Sequence, residues 1–108
     1  MLKKVNRLAK AKDIATAFAR GRGFFNPFFS IKFFPSVQPP RFAVVVSTKV
    51  FKRAHDRNRL KRILREYLRN NLNKFKNGSY MIMAKPKISN LPEPERLKSF
   101  IDLCVKIR

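Results

Sequence analysis

The segment spanning residues 49–69 carries the densest set of side chains that could do chemistry. It contains nine Lys or Arg residues, and only Asp56 and Glu66 oppose them. Ammonium and guanidinium groups bind phosphate, and the planar arginine fork also stacks on bases. The segment is therefore a candidate surface for binding a phosphate polymer, and its members are Lys49, Lys52, Arg53, Arg57, Asn58, Arg59, Lys61, Arg62, Arg65 and Arg69.

The spacing of these residues supports this interpretation if the segment is helical. At ~100° per residue, Asn58, Arg62, Arg65 and Arg69 fall within about 60° of one another and place donors along ~16 Å of helix, enough to meet successive phosphates. One alternative is an ordinary solvated helix face, but such faces usually carry i,i+4 Glu–Lys pairs, and Glu is nearly absent here. A second is a helix lying on a membrane surface, which is disfavoured because the apolar face is needed to cover a sheet. We favour a nucleic-acid-binding helix.

Other residue types offer no catalytic constellation. His55 has no second histidine, clustered cysteine or carboxylate pair nearby, and Cys104 lies among apolar residues as a small buried hydrophobe would. The sequence contains no phosphate-binding loop, nucleophile motif or Cys/His spacing. We predict no catalytic residue and no metal site in the chain, and no cofactor that it binds itself.

The charge balance points to a polyanionic partner. The 108 residues include 26 Lys or Arg against 6 Asp or Glu, which gives a net charge of +20. A compact domain with this charge repels itself, and a polyanion relieves the repulsion. DNA, RNA, anionic lipid and heparin all qualify; nucleic acid is favoured.

Cysteine usage and hydropathy indicate the compartment. A single cysteine permits no internal disulfide, which fits a reducing environment. No apolar run approaches the ~20 residues that a membrane span needs, and no continuous apolar stretch follows the basic N-terminus as in a secretory signal. We expect a soluble cytoplasmic protein with no membrane partner.

Three helices should position the basic surface. Asp13 is placed to cap a first helix that runs to about Arg20, with Gly21 and Gly23 ending it. Apolar residues recur with a 3.6-residue period over 54–75, which predicts a long helix stopped by Asn77-Gly78. A last helix is expected after Asn90 and Pro92, with Glu93 and Glu95 at its positive dipole end.

Strands are predicted at 28–34, 41–48 and 79–84, with Phe24-Phe25 as a short aromatic pair before a turn at Asn26-Pro27. The element order predicts one α+β domain over residues 1–108, an α/β sandwich with a small sheet and two parallel strands, in which residues 1–12 are partly disordered.

Residues 28–34 should present two different faces. Phe29, Ile31 and Phe33 form a core face, while Phe28, Ser30, Lys32 and Phe34 mix aromatic rings with a hydroxyl and a cation. The second face is a plausible floor for a single nucleic-acid strand, because it combines charge with π surface.

The run 57–66, Arg-Asn-Arg-Leu-Lys-Arg-Ile-Leu-Arg-Glu, resembles the signature of the bacterial ribonuclease P protein family. The resemblance extends over about residues 5–107. It includes Lys49 and Arg53-Ala54-His55 upstream of the motif, Asn6-Arg7-Leu8 near the start, the helix at 13–20 and the strands at 41–48 and 79–84.

The resemblance implies a four-stranded sheet, with Phe24-Phe25 in its first strand, and a left-handed crossover through the basic helix. It implies that the chain is the non-catalytic protein subunit of a ribonucleoprotein endonuclease. The partner would be a catalytic RNA that requires Mg²⁺ and cleaves the 5′ leader from precursor tRNA. The motif residues would bind that RNA, and a cleft between the first helix and the sheet would hold the leader.

The leader-cleft residues are expected to be Phe18, Ile14, Phe28, Ser30 and Lys32. Phe18 matches a family aromatic in the first helix. Ile14 and Lys32 depart from the pattern, because family members commonly have an aromatic at the first position and some have one at the second. Leader binding would then rely more on phosphate contacts and less on stacking.

Three other functions compete with this interpretation. A ribosomal or RNA-chaperone protein is equally basic and differs only in lacking the motif. A DNA-binding regulator usually offers a dimerisation element, and none is evident, so DNA is not the expected partner. A self-sufficient nuclease would need clustered carboxylates or histidines.

Overall fold

Across residues 2–107, the computed structural model has three α-helices and four β-strands. Their order is α1 (Ala11–Arg20), β1 (Arg22–Phe25), β2 (Phe29–Pro35), β3 (Arg41–Val45), α2 (Ala54–Asn70), β4 (Gly78–Ala84) and α3 (Glu93–Val105). Short 3₁₀ turns occur at Lys4–Asn6, Leu72–Lys74 and Pro86–Asn90. The α+β class with one four-stranded sheet is confirmed, and residues 1 and 108 of the predicted domain lie outside the described range.

The strands form one mixed sheet in the order β1-β2-β4-β3. β2 pairs antiparallel with both β1 and β4, whereas β3 pairs parallel with β4. The chain passes from β3 to β4 through α2, so the predicted strand–helix–strand unit with two parallel strands is confirmed. The left hand of this crossover stays a prediction of the family resemblance.

The alternation along β2 separates the two faces of the sheet. Phe29, Ile31 and Phe33 are buried, while the residues between them are only half-buried. The buried face joins Leu60, Leu64 and Leu68 of α2 and Phe100 of α3 in one hydrophobic cluster. Burying one such side chain contributes about 1.5–3 kcal/mol, so this cluster fixes α2 and α3 on one face of the sheet.

The first helix begins earlier than predicted and ends at Arg20 as predicted. It begins at Ala11, so Asp13 lies inside the first turn and does not cap the helix. The Asp13 carboxylate instead accepts a hydrogen bond from Arg41 at 3.1 Å. Gly21 follows Arg20 as the C-cap residue, in an extended conformation, whereas Gly23 lies in β1 and takes no part in ending the helix.

The basic helix is shorter than the periodicity predicted, because it ends at Asn70 and not at about residue 75. The Asn71 side chain donates a hydrogen bond to the Tyr67 carbonyl at 2.8 Å, and a 3₁₀ turn follows. This turn lets Phe75 enter the core against Phe42. The prediction that Asn77-Gly78 ends this helix was therefore wrong.

Gly78 instead opens β4 with a φ of 145°, a conformation that glycine adopts without strain. Strand boundaries moved as well. β2 covers Phe29–Pro35 and not 28–34, and β3 ends at Val45, where its pairing with Met83 ends, three residues before the predicted limit. Asn90 belongs to a 3₁₀ turn and does not open α3, whereas Pro92 is the N-cap residue of that helix. Glu93 and Glu95 lie in the first turn of α3, as predicted.

The N-terminal segment packs along β3. Leu2, Asn6 and Leu8 are buried, and the Leu8 amide donates to the Phe42 carbonyl at 2.9 Å. The Asn6 side chain donates to the Pro40 carbonyl at 2.8 Å. Partial disorder of residues 1–12 stays a prediction.

Candidate nucleic-acid interface

The basic face of α2 lies opposite the residues that anchor the helix. Leu60, Leu64 and Leu68 are buried in the core. The predicted stripe is exposed to solvent along its whole length, at Asn58, Arg62, Arg65 and Arg69. Because the anchored face is rigid, the spacing of the exposed face is fixed before any partner binds.

The side chains of three members of the stripe make no hydrogen bond or ion pair within residues 2–107. Asn58, Arg62 and Arg65 line a depression of about 460 Å³ together with Glu66. Asn58 and Arg62 also border a neighbouring depression of about 400 Å³, whose other walls include His55 and Glu93. The amide and the two guanidinium groups are thus available to an external acceptor.

Arg57 has a different position from its neighbours in the motif. Its Nη1 donates to the Phe51 carbonyl at 3.1 Å and to the Lys52 carbonyl at 2.8 Å. These bonds tie the first turn of α2 to the loop before it. Arg57 therefore holds Lys52 and Arg53 beside the helix.

Arg59 and Arg69 form ion pairs with the few acidic residues on this side of the protein. Arg59 Nε lies 2.7 Å from Glu93 Oε1, across the gap between α2 and α3, and both side chains are substantially exposed. Arg69 pairs with Glu66 one turn earlier. The hydrogen bond from Arg69 lowers the pKa of the Glu66 carboxyl, because it favours the charged form.

The remaining members extend the surface beyond the helix. Lys49, Lys52 and Arg53 are exposed in the turn between β3 and α2, and Lys61 is half-buried on α2. All ten predicted residues thus lie in one continuous stretch of loop and helix. The structure divides them into exposed donors, ion-paired arginines and the tethering Arg57.

A second surface lies on the other face of the sheet, where α1 crosses β2 and β4. The Arg41–Asp13 ion pair fixes α1 to β3 there. Phe18 of α1 is 51 % exposed, and Lys32 Nζ of β2 lies 5.1 Å from the centre of its ring. An exposed ring and a cation are therefore in contact where the leader cleft was predicted.

The other predicted cleft residues differ in their placement. Ile14 lies one turn before Phe18 and is half-buried, and Ser30 shares the sheet face of Lys32. Phe28 precedes β2, and its half-buried ring packs against the hydrophobic cluster. The structure thus brings Phe18, Ile14, Ser30 and Lys32 to one side, while Phe28 contributes packing.

Sequence reasoning missed a second ring and cation on this face. Phe25 of β1 is 70 % exposed, and Lys85 Nζ lies 5.1 Å from its ring centre. The Phe24-Phe25 pair gave no signal of which ring faces outward, because that depends on the register of β1 against β2. Lys85 follows β4 and is distant from Phe25 in sequence.

The part of the chain that the structure describes contains neither a metal-binding cluster nor a membrane-spanning helix. No group of three or more His, Cys, Asp or Glu side chains is placed to hold a metal ion. No helix in residues 2–107 is long and apolar enough to cross a membrane.

Residues 2–108 match the family model described as Ribonuclease P. The chain belongs to this family. The ribonuclease P protein component of Pseudanabaena is 33% identical over 99 residues, which cover 90% of this chain and 85% of the relative. That of Xanthomonas campestris is 31% identical over 97 residues and 90% of this chain, but this chain spans only 66% of the relative's length.

Solved structures show the same fold. The RNase P protein of Staphylococcus aureus superposes with a TM-score of 0.85 at 20% identity, covering 93% of each chain. The RNase P protein of Thermotoga maritima, in complex with 1-(4-fluorophenyl)-2-thiourea, gives a TM-score of 0.77 at 27% identity and covers 91% of this chain and 97% of that one. The family resemblance drawn from the motif at 57–66 is therefore confirmed.

Proposed function

We propose that this protein is the protein subunit of ribonuclease P. In this proposal it binds the catalytic RNA through α2 and the preceding loop, and it holds the 5′ leader of precursor tRNA against the sheet face beside α1. It thereby assists endonucleolytic removal of the leader in the cytoplasm. The cleavage step and its Mg²⁺ ions belong to the RNA subunit, as the family resemblance implies.

One observation carries this proposal: α2 presents side-chain donors that have no hydrogen-bond or ion-pair partner within residues 2–107. The chain also belongs to the ribonuclease P family. Asn58, Arg62 and Arg65 face away from the leucines that fix the helix. Phosphate oxygens are the acceptors that such spaced arginines meet best. A folded RNA can therefore dock on this face without disturbing the core.

The two surfaces support a division of labour. Lys32 alternates along β2 with the buried Ile31 and Phe33, so its side chain is on the sheet face opposite the one that α2 covers, which supports a leader site there. A large RNA on α2 does not compete for space with a single strand beside α1. This arrangement suits a subunit that contacts its RNA partner and the substrate leader together.

Reconstitution tests the proposal. The protein is mixed with in vitro transcribed ribonuclease P RNA and precursor tRNA at low magnesium, where we expect it to stimulate leader release. A basic ribosomal or RNA-chaperone protein would bind the RNAs without specific stimulation, so absence of stimulation at saturating protein would contradict the proposal.

The same assay without the RNA subunit tests whether the cleavage reaction belongs to the RNA and not to the protein. We expect nuclease-free protein to leave precursor tRNA intact at any magnesium concentration. Specific cleavage at the mature 5′ end by protein alone would overturn the assignment of the cleavage step to the RNA.

A further inference from the structure

The exposed ring of Phe25 has no packing role that explains it. The adjacent Phe24 packs against the hydrophobic cluster, whereas Phe25 is 70 % exposed, more than Phe18. Large apolar rings are exposed at a cost in hydration free energy unless something covers them. The ring of Phe25 therefore offers apolar surface that a ligand could cover.

Lys85 holds its ammonium group over this ring through a second contact. Its Nζ donates to the Asn26 carbonyl at 2.8 Å and lies 5.1 Å from the ring centre of Phe25. The backbone around it is also fixed, since the Lys85 amide donates to the Phe28 carbonyl at 2.8 Å. The cation and the ring are thus held together before any ligand arrives.

The turn that follows Phe25 is held on both sides by hydrogen bonds of Asn26. The Asn26 side-chain oxygen accepts hydrogen bonds from the amides of Phe28 and Phe29, each at 2.8 Å. Its amide nitrogen donates to the Ser99 carbonyl of α3 at 3.0 Å. A ring at the edge of such a turn loses little conformational freedom when a ligand stacks on it.

The strand register places this pair next to the pair formed by Phe18 and Lys32. In the register of β1 against β2, Phe25 is opposite Ser30 and Gly23 is opposite Lys32. Phe25 and Lys32 are therefore diagonal neighbours on one sheet face, a relation in which the Cα atoms are about 7–8 Å apart. Gly23 leaves the space beside Lys32 open, because nothing lies within 4 Å of where a side chain would begin. An extended strand can pass from one pair to the other unobstructed.

We propose that Phe25 and Lys85 form a second subsite for the single-stranded leader, in which a base stacks on Phe25 and the following phosphate meets Lys85. The inference rests on the proposed function. It adds a nucleotide position at the β1 edge beyond the one held at Phe18 and Lys32. Stacking on an exposed ring is sequence-tolerant, so this subsite extends the bound leader without selecting its bases.

The test compares binding of precursor tRNAs with leaders of increasing length to reconstituted holoenzyme carrying wild-type protein, Phe25→Ala, Phe25→Tyr or Val105→Ala. For long leaders, we expect Phe25→Ala to weaken binding by about 5- to 150-fold, the range that one stacked base provides. Phe25→Tyr keeps a stacking ring and should bind like wild type. Val105→Ala removes another exposed apolar side chain, on α3 and so on the opposite side of the sheet, and serves as the matched control.

Short leaders and leaderless tRNA separate the outcomes. The loss caused by Phe25→Ala should disappear for leaders too short to pass Phe18, whereas Phe18→Ala should still weaken their binding. An equal loss of affinity with leaderless tRNA would overturn the subsite. So would the absence of any loss for Phe25→Ala at every leader length, if wild-type binding itself depends on leader length. If the wild-type holoenzyme shows no leader dependence, the proposed function itself fails.

Discussion

The basic face of α2 and the sheet face beside α1 use their cations in opposite ways. On α2, the side chains of Asn58, Arg62 and Arg65 have no hydrogen-bonding or ion-pair partners within residues 2–107. Beside α1, each of the two exposed rings has a lysine ammonium 5.1 Å from its centre. The first surface offers charge to phosphates wherever they occur, whereas the second combines charge with exposed aromatic rings, as the proposed binding of an unpaired base requires. A pattern of charge alone would not separate them, since the contrast depends on what lies beside each cation.

The largest separable effect is expected at Phe18. Phe18→Ala should weaken affinity for leader-bearing precursor tRNA by about 1–3 kcal/mol, because one base loses its stacking partner. Affinity for mature tRNA should scarcely change. Binding of both tRNAs to reconstituted holoenzyme measures the difference, after circular dichroism has verified that the variant folds. Equal losses for both tRNAs would remove Phe18 from the leader site.

Arg57 should behave unlike the other arginines of its motif. Arg57→Ala removes two charge-assisted hydrogen bonds to the loop before α2, so we expect the free energy of unfolding to fall by about 1–2 kcal/mol. Arg62→Ala is the matched control and should stay within about 0.5 kcal/mol of wild type, because it removes no such bond. Urea denaturation measures both, and equal stabilities would show that the Arg57 tether is without structural effect.

The exposed donors should govern the salt dependence of RNA binding. If about six to eight phosphates are neutralised, the log–log slope of affinity against salt should be about −4 to −6, and Arg62→Ala or Arg65→Ala should each make it shallower by about 0.7. The change should weaken holoenzyme assembly with or without a leader. A slope near zero would mean that the basic face of α2 is not the binding surface.

The smallest effect is expected at the ion pair between Arg59 and Glu93. This pair is exposed, so it contributes only a few tenths of a kcal/mol to folding, while its carboxylate occupies a guanidinium that RNA could use. Glu93→Gln should therefore raise affinity for the RNA subunit slightly, whereas Glu95→Gln in the same helical turn should have less effect. Filter binding at low salt measures both, and weaker binding by Glu93→Gln would show that the pair supports the interface.

The sequence predicted the elements and the exposed stripe because both depend on local periodicity. The alternation of Phe29, Ile31 and Phe33 identified the core face of β2, and the spacing of Asn58, Arg62 and Arg65 identified the free face of α2. Neither inference needs knowledge of a distant residue. The family motif then supplied the number of strands.

The errors occurred where a distant contact decides the local structure. The end of α2 at Asn70 follows from the entry of Phe75 into the core against Phe42 and Tyr80, which no helical pattern reveals. Asp13 was expected to cap α1, but its partner Arg41 is on β3. The role of Arg57 as a tether and the meeting of Phe25 with Lys85 depend in the same way on strand register and loop geometry.

Tyr80 lies between the rings of Phe33 and Phe42, stacked at 4.6 and 5.0 Å, because β4 runs between β2 and β3. This placement sets the order in which the chain can fold as it leaves the ribosome. The β1–β2 hairpin and helix α2 can begin to form early, but their apolar faces have no central strand to join until residues 78–84 have been synthesised. The sheet then closes through contacts that are distant in sequence, which slows folding compared with a helical bundle of the same size. A nascent chain halted before β4 would expose β2, β3 and the leucines of α2 together, and it would be a substrate for chaperones and proteases.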